Sequence, residues 1–187
     1  TDLKAALLAA DRLRRTIEAM KIEAGGAQIR SSVSIGVATR EPRMADIPRA
    51  TMTPEGFAFF VDDSLVARKE ITQVLDKMGV KYHQATNGRE AWNKLQAFAS
   101  RPWQNGETLH DTLKLILVDA EMPEMDGYVL TRHIKSDKRF DGIPVVMHSS
   151  LSSNANRAMG SSVGVDAYVA KFEPTLLAET MLPFLQR

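Results

Sequence analysis

The chain has 187 residues, of which 44% are hydrophobic and 25% charged, as in a soluble globular protein with one domain and an appendage. Its net charge of +1 gives no reason to expect nucleic acid as a partner. It has no cysteine, which excludes disulfides, thiolate metal sites and cysteine nucleophiles. Its apolar runs are too short for membrane insertion and no signal peptide precedes them, so we expect a cytoplasmic protein.

The first part of the chain, residues 1–40, is predicted to be a small fragment with a helix and a strand or hairpin. Apolar residues recur at three- and four-residue spacing over residues 3–20, as on one face of a helix. Gly25 and Gly26 break this pattern, and we interpret them as a helix-to-strand turn. Residues 33–37 alternate between apolar and small side chains, which predicts a strand.

A linker is predicted next, over residues 41–56, because this stretch has three prolines and no periodicity. From residue 57 to residue 187 the pattern changes to short apolar strands that alternate with amphipathic helices. The strands are predicted at FAFFV (57–61), YHQA (82–85), LKLILV (113–118), IPVVMH (143–148) and DAYVA (166–170). Residues 101–112 are predicted to be a polar loop. Five strands alternating with five helices predict an α/β fold with a doubly wound, five-stranded parallel sheet.

Chemically distinctive side chains follow four of these strands. Asp62 and Asp63 follow the first strand, Asp119 ends the third, Ser149 ends the fourth and Lys171 follows the fifth. In a parallel sheet these positions meet at one edge, where ligands bind. Clustered carboxylates repel one another unless a cation lies among them, and an oxygen-only ligand set favours Mg²⁺. A lysine and a hydroxyl beside such an ion suit a phosphoryl group, and a carboxylate can be its acceptor.

The segments FFVDDS, LILVDAEMPEMDG, PVVMHSS and DAYVAK resemble the signature segments of response-regulator receiver domains of two-component signalling. The resemblance covers residues 57–187 and implies a flavodoxin-like fold. It implies that Asp119 is the phosphoacceptor and that Asp62 and Asp63 bind Mg²⁺ together with it. The backbone carbonyl of Glu121 completes the implied set of metal ligands.

The same resemblance implies roles for three further residues. Ser149 is implied to bind the phosphoryl oxygen and Lys171 to pair with it. Tyr168, three residues before Lys171, falls where receivers keep a rotating aromatic switch. In one respect the sequence departs from the family, since Phe172 follows Lys171 where most receivers have proline. A non-proline cis peptide costs about 2.5–4 kcal/mol, so we expect a trans bond there and another way of aiming the lysine.

Two segments, VMHSS and YVAKFEP, resemble those of the CheV-type chemotaxis coupling proteins, and so does the long loop before the third strand. The implied partner is therefore a histidine kinase of the chemotaxis type, whose phosphohistidine donates to Asp119. The coupling domain that precedes the receiver in that family has no counterpart in this sequence.

Residues 1–40 resemble the later part of diguanylate cyclase (GGDEF) domains, through ADRLRRTIEAM followed by IRSSVSIGVA. The catalytic hairpin and metal carboxylate of that family lie earlier in its domain and have no counterpart in this sequence. We therefore expect no cyclase activity, and we regard the chain as a possible natural or engineered chimera.

The sequence thus predicts a signalling switch that catalyses its own phosphorylation and dephosphorylation, without a diffusible substrate. Two alternatives stay open at this stage. In one, the chain is a scaffold that forms a homodimer through its N-terminal fragment. In the other, residual cyclase-type nucleotide binding persists. Among the four histidines only His148 stands out, because it lies directly before Ser149.

Overall fold

The structure is a computed structural model that describes residues 22–24, 27–29, 47–53, 55–103, 106–150 and 154–186. The chain divides into two units, Thr1–Glu41 and Pro42–Arg187. In the first unit, strands β1 (Ile22–Ala24) and β2 (Ala27–Ile29) pair antiparallel. Only residues 25–26 separate them, so the glycine pair joins two strands and our interpretation of a helix-to-strand turn is wrong. Glycine pairs are favoured in such two-residue hairpin loops.

The helix over residues 1–20 and the strand over 33–37 lie outside the described residues. The described part of the predicted linker has no helix or strand, but it belongs to the second unit and packs against its core. Ile47 is buried, and the backbone N–H of Ala50 donates to the carbonyl of Met78 at 2.9 Å.

The second unit alternates strands with helices, as the sequence predicted. Its described elements are β3 (Phe57–Val61), α1 (Leu65–Met78), β4 (Lys81–Ala85), α2 (Gly88–Ser100), α3 (Leu109–Thr112), β5 (Leu113–Asp119), α4 (Gly127–Ser136), a short 3₁₀ helix (Lys138–Phe140), β6 (Val145–Ser149), α5 (Asn154–Val163), β7 (Ala167–Ala170) and α6 (Pro174–Leu185). The extra helix α3 lies in the predicted polar loop. Thr108 initiates it, because its backbone N–H and hydroxyl both donate to the carboxylate of Asp111, at 2.7 and 2.8 Å.

The five strands of the second unit form one parallel sheet in the order β4-β3-β5-β6-β7, which confirms the predicted doubly wound fold. The chain moves from β3 outward to β4 and then returns to place β5 on the other side of β3. The strand order therefore reverses between β3 and β5. A crevice opens beyond the carboxyl ends of strands at such a reversal, and this is where ligands bind in folds of this class.

Both faces of the sheet are covered, which explains why its central strands are apolar without alternation. Phe60 and Leu117 face a core that includes the inner sides of α1 and α6. Phe59 and Val118 face the opposite core, which includes the inner sides of α2 and α4. In the part of the chain that the structure describes, no helix has the length and apolarity needed to cross a bilayer.

Helix starts are fixed beside the crevice by polar caps. The side chain of Ser64 accepts from the N–H of Ala67 at 3.4 Å at the start of α1, and that of Asp126 accepts from the N–H of Val129 at 2.8 Å at the start of α4. Gly127 then lies against β5, because a β-carbon there would be 2.0 Å from the carbonyl oxygen of Asp119. The end of β5 and the start of α4 are thus in direct backbone contact.

We expect Gly127→Ala to lower the free energy of unfolding by about 3 kcal/mol, because the added methyl group forces the α4 start away from β5. Gly79→Ala is the matched control. That position has a φ of +73° but open space around a β-carbon, so it should cost only about 1 kcal/mol. Urea unfolding measures both values. Equal losses in the two variants would show that the contact between α4 and β5 is not tight.

Candidate functional site

Three carboxylates meet in the crevice between β3 and β5. Asp62 follows β3 and Asp119 ends β5, and both are buried, whereas Asp63 is exposed. One carboxylate oxygen from each of the three residues lies within 4.8 Å of the corresponding oxygens of the other two. Such a set of oxygen donors fits a hard divalent cation, which binds several oxygens and neutralises their repulsion. The structure therefore brings together the three carboxylates that the sequence predicted.

Lys171 is the cation that the chain itself supplies to this cluster. Its Nζ lies 2.9 Å from Oδ2 of Asp62 and 2.9 Å from Oδ2 of Asp119. Its side chain is only 7% exposed, so water screens these ion pairs little. Lys171 follows β7, two strands away from β5, and its long side chain spans this distance. One ammonium group thus bridges both buried acids.

The two buried acids differ in their affinity for protons. Burial raises the pKa of Asp119 to about 6, with Lys171 opposing this shift and the charge of Asp62 adding to it. Burial acts in the same direction on Asp62, but contacts from His148, Lys171 and the N–H of Ser64 outweigh it and lower the pKa. Asp62 is therefore the stronger acid of the pair, and Asp119 is the weaker acid.

Backbone contacts hold the acids in place. The N–H of Ser64 donates to Oδ1 of Asp62 at 2.8 Å, and the N–H of Glu121 donates to Oδ1 of Asp119 at 3.1 Å. Nη1 of Arg68, on α1, donates to the backbone carbonyls of Asp62 and Asp63 at 2.8 and 2.9 Å. Arg68 was not predicted as part of the site, because no pattern in the sequence shows that this residue of α1 contacts the turn after β3.

Ser149 is at the end of β6, as predicted, and is fully buried. The N–H of Lys171 donates to its carbonyl at 2.9 Å, which joins β6 to the end of β7. The neighbouring hydroxyl of Ser150 donates to Oε2 of Glu121 at 2.5 Å. This contact links the loops that follow β5 and β6. The predicted ligand role of the Glu121 carbonyl stays a prediction.

His148 lies beside the acids, with its side chain 1% exposed. Its Nδ1 is 3.9 Å from Oδ2 of Asp62, which is a charge contact and too long for a hydrogen bond. Within the described residues neither ring nitrogen has a hydrogen-bond partner. Burial lowers the pKa of His148, although Asp62 opposes this shift. A neutral imidazole therefore packs against the acidic cluster.

Tyr168 on β7 is set apart from the carboxylates. Its ring lies beside Gly160 of α5, since a β-carbon at that glycine would be 3.4 Å from the ring. Burial raises the pKa of Tyr128 of α4 to about 12, and the neighbouring Tyr168 adds to this shift. The sequence analysis missed Tyr128, because nothing in the local pattern shows which residue of α4 faces β7.

Phe172 departs from ordinary backbone geometry. All peptide bonds of the described residues are trans, and Phe172 has a φ of +63°. This left-handed conformation is uncommon for a residue with a β-carbon. The turn directly after Lys171 is therefore built differently from a proline turn, whose φ is fixed near −65°.

Comparison with known proteins gives a consistent picture. The response regulator receiver domain family matches residues 58–181. The chain is 35% identical over 133 residues to the chemotaxis protein CheV3 of Helicobacter pylori, which covers 71% of this chain and 42% of that protein. It is 34% identical over 123 residues to the chemotaxis protein CheY1 of the same species, covering 65% of this chain and 90% of CheY1. The match thus spans less than half of CheV3 but nearly all of CheY1.

Solved structures share the fold. The crystal structure of the receiver domain of the histidine kinase CKI1 from Arabidopsis thaliana, complexed with Mg²⁺ and BeF₃⁻, has a TM-score of 0.61 at 26% identity. The match covers 71% of this chain and 91% of that one.

We expect Asp119→Asn to raise the free energy of unfolding in the presence of a chelator, by about 2 kcal/mol at pH 8, because it removes a buried charge beside Asp62. The carboxyl with a raised pKa stabilises the fold while protonated, and this contribution is lost as the pH rises through about 6. The gain should therefore be much smaller at pH 4.5, where Asp119 is already neutral.

Urea unfolding at the two pH values measures this effect. Asp111→Asn is the control of opposite sign, because hydrogen bonds from Thr108 lower the pKa of Asp111 and its loss should destabilise the protein at pH 8. If Asp119→Asn instead lowers the free energy of unfolding at pH 8, the ion pair with Lys171 stabilises the ionised Asp119 by more than its burial costs.

Proposed function

Because the chain belongs to the response regulator receiver domain family, we propose that it is a phosphoryl-accepting switch in which Asp119 takes the phosphoryl group. The observation that carries this proposal is the bridging position of Lys171, 2.9 Å from both Asp62 and Asp119. A buried ammonium group held between two acids is preorganised for a dianionic group bound to one of them. The third acid, Asp63, is exposed to solvent.

We infer that Asp62, Asp63 and Asp119 hold Mg²⁺, with the carbonyl of Glu121 as a further ligand. The oxygen-only donor set and its clustering within 4.8 Å support this choice of ion. When bound, the ion neutralises negative charge on the phosphoryl oxygens during transfer. Solvent exposure of Asp63 provides an entry path, and the contacts of Arg68 to the backbone of Asp62 and Asp63 preorganise the turn that carries both ligands.

In the proposed reaction, a carboxylate oxygen of Asp119 attacks the phosphorus of a kinase phosphohistidine. A new O–P bond forms as the N–P bond breaks, and the imidazole leaves with its electron pair. The nucleophile must be ionised, and Asp119 is mostly so at neutral pH despite its pKa of about 6. Lys171 and the hydroxyl of Ser149 then bind the transferred phosphoryl oxygens. Hydrolysis of the acyl phosphate resets the switch.

The donor is proposed to be a histidine kinase of a chemotaxis system. The sequence relatives CheV3 and CheY1 are chemotaxis proteins by name, and the CKI1 domain is a receiver within a histidine kinase. That domain was crystallised with Mg²⁺ and BeF₃⁻, which supports a site of the same chemistry in this chain.

The output is proposed to pass through Tyr168. Ser149 ends β6 next to β7, so a movement of its hydroxyl toward a phosphoryl group changes the space beside β7. Tyr168 of β7 lies near Tyr128 of α4, close enough to raise the pKa of that phenol. Phosphorylation would select another position of the Tyr168 ring from an existing equilibrium.

For the N-terminal unit, which lies outside the family match to residues 58–181, we propose an origin in a diguanylate cyclase domain, and hence a chimeric chain. We further propose that this fragment forms a homodimer.

We expect one phosphoryl group to be added to the protein by acetyl phosphate and Mg²⁺, and intact mass spectrometry measures this gain directly. Asp119→Asn and a chelated wild-type sample should show none, because one lacks the nucleophile and the other the charge-neutralising ion. A folded wild-type protein that binds Mg²⁺ but gains no mass would contradict the proposed function.

We expect Asp63→Asn to weaken Mg²⁺ binding on the order of ten-fold or more, since it removes one charged ligand. Its effect on the free energy of unfolding should be below about 0.5 kcal/mol, because Asp63 is exposed. Isothermal titration calorimetry measures the affinity. Asp141→Asn, an exposed acid outside the cluster, is the control, and an equal affinity in both variants would remove Asp63 from the metal site.

A further inference from the structure

His148 is a buried polar side chain to which the proposed reaction gives no role. Its side chain is 1% exposed, and among the described residues neither ring nitrogen has a hydrogen-bond partner. A buried polar group without a partner is costly, because it has lost its hydrogen bonds to water. An apolar side chain would pack at this position without that cost, so the imidazole needs an explanation.

The alternation of the strands places His148 on the same face of the sheet as the two buried acids and the lysine. Four residues of this face belong to the core beneath α1 and α6, namely Phe60, Leu117, Val146 and Val169. The residue two positions further along each strand direction projects to the same side, and these residues are Asp62, Asp119, His148 and Lys171. Because β6 lies between β5 and β7, the lysine side chain crosses β6 on the side where the imidazole lies.

The register of the sheet fixes His148 directly beside the phosphoacceptor. His148 pairs with Asp119 in the parallel ladder, and its carbonyl accepts from the N–H of Ala120 at 3.1 Å. Its Nδ1 lies 3.9 Å from Oδ2 of Asp62, the same oxygen that Nζ of Lys171 contacts at 2.9 Å. Two groups that can donate a hydrogen bond therefore face one carboxylate oxygen, and the lysine is the closer of the two.

Oδ2 of Asp62 needs a new donor if Lys171 turns toward a phosphoryl group. Asp62 is fully buried, and the N–H of Ser64 donates to its other oxygen, Oδ1. Departure of the ammonium group would leave Oδ2 desolvated and without a donor, which is unfavourable for a carboxylate. A closure of about 1 Å brings Nδ1 of His148 to an ordinary hydrogen-bond distance from it. A carboxylate has lone pairs enough for a metal ion and for this donor together.

We propose that His148 is a positioning residue that donates to Oδ2 of Asp62 when the ammonium group of Lys171 moves to the phosphoryl group. This inference rests on the proposed function, because that movement is part of it. An imidazole with its proton on Nδ1 keeps the acid in place and leaves the lysine free for the phosphoryl oxygens. The buried polar ring thus serves the phosphorylated form, and its lack of a partner belongs to the resting form.

The position of the proton on the ring tests this contact in the wild-type protein. In long-range ¹H–¹⁵N spectra of the protein with Mg²⁺ and beryllofluoride, Nδ1 of His148 should carry a proton. That proton should exchange with water at least about ten-fold more slowly than in an exposed histidine, because it is buried and hydrogen-bonded. A ring protonated on Nε2 alone would overturn the proposal, since its Nδ1 could then only accept.

Replacement of the ring tests which nitrogen matters. The side-chain amide of asparagine lies near the place of Nδ1, whereas that of glutamine lies nearer the place of Nε2. At saturating Mg²⁺, His148→Leu and His148→Gln should weaken beryllofluoride binding by at least about five-fold, because Asp62 loses its donor. His148→Asn should stay within about two-fold of wild type. Titrations followed by ¹⁹F NMR measure these affinities, and an asparagine variant as weak as the leucine variant would overturn the proposal.

The resting form provides the control, because Lys171 occupies Oδ2 of Asp62 there. Without beryllofluoride, the Mg²⁺ affinity of His148→Leu should stay within about two-fold of wild type. Isothermal titration calorimetry measures it. Equal losses of Mg²⁺ affinity and beryllofluoride affinity would show general damage to the site and would overturn the proposal.

A metal-free measurement tests the contact independently of phosphorylation. In the presence of a chelator, Lys171→Met removes the ammonium group from Asp62. In that background His148→Leu should lower the folding equilibrium constant at least about five-fold more than it does in wild type, as measured by urea unfolding. Additive losses would overturn the proposal. If the wild-type protein binds no beryllofluoride with Mg²⁺, the proposed function fails; if it does and His148→Leu binds it equally well, only this inference fails.

Discussion

The site depends on one buried ion-pair arrangement, in which the ammonium group of Lys171 bridges Asp62 and Asp119 at 2.9 Å each. Two buried acids this close would repel each other without a cation, and one lysine can neutralise only one of them. Burial raises the pKa of Asp119, and the charge of Asp62 adds to this shift. The cluster therefore carries an excess of negative charge, which a divalent cation can neutralise.

The topology of the sheet explains how one lysine can reach both acids. Asp62 follows β3 and Asp119 ends β5, and these adjacent strands carry the reversal of strand order. Lys171 follows β7, beyond β6, and crosses above the end of β6 where Ser149 lies. Helix α1 organises the acidic turn, since Nη1 of Arg68 donates to the backbone carbonyls of Asp62 and Asp63.

The sequence predicted the parallel sheet and the gathering of Asp62, Asp119 and Lys171, because polar residues at the ends of apolar strands must meet at one edge. It could not predict contacts that depend on how a helix is rotated against its neighbour. Arg68 is such a case, since the periodicity of α1 identifies its buried apolar face but not that this flanking residue contacts the backbone of the turn after β3. The short helix α3 was missed because it rests on a capping contact, without an apolar periodicity that a sequence pattern could show.

The most direct test of this account is a crystal structure of the protein with Mg²⁺ and beryllofluoride. We expect beryllofluoride on a carboxylate oxygen of Asp119 and the metal in contact with Asp62 and Asp63. We also expect Nζ of Lys171 to leave Asp62 and contact a fluorine atom instead. A structure in which Lys171 keeps both of its carboxylate contacts, and neither the metal nor beryllofluoride occupies the cluster, would contradict it.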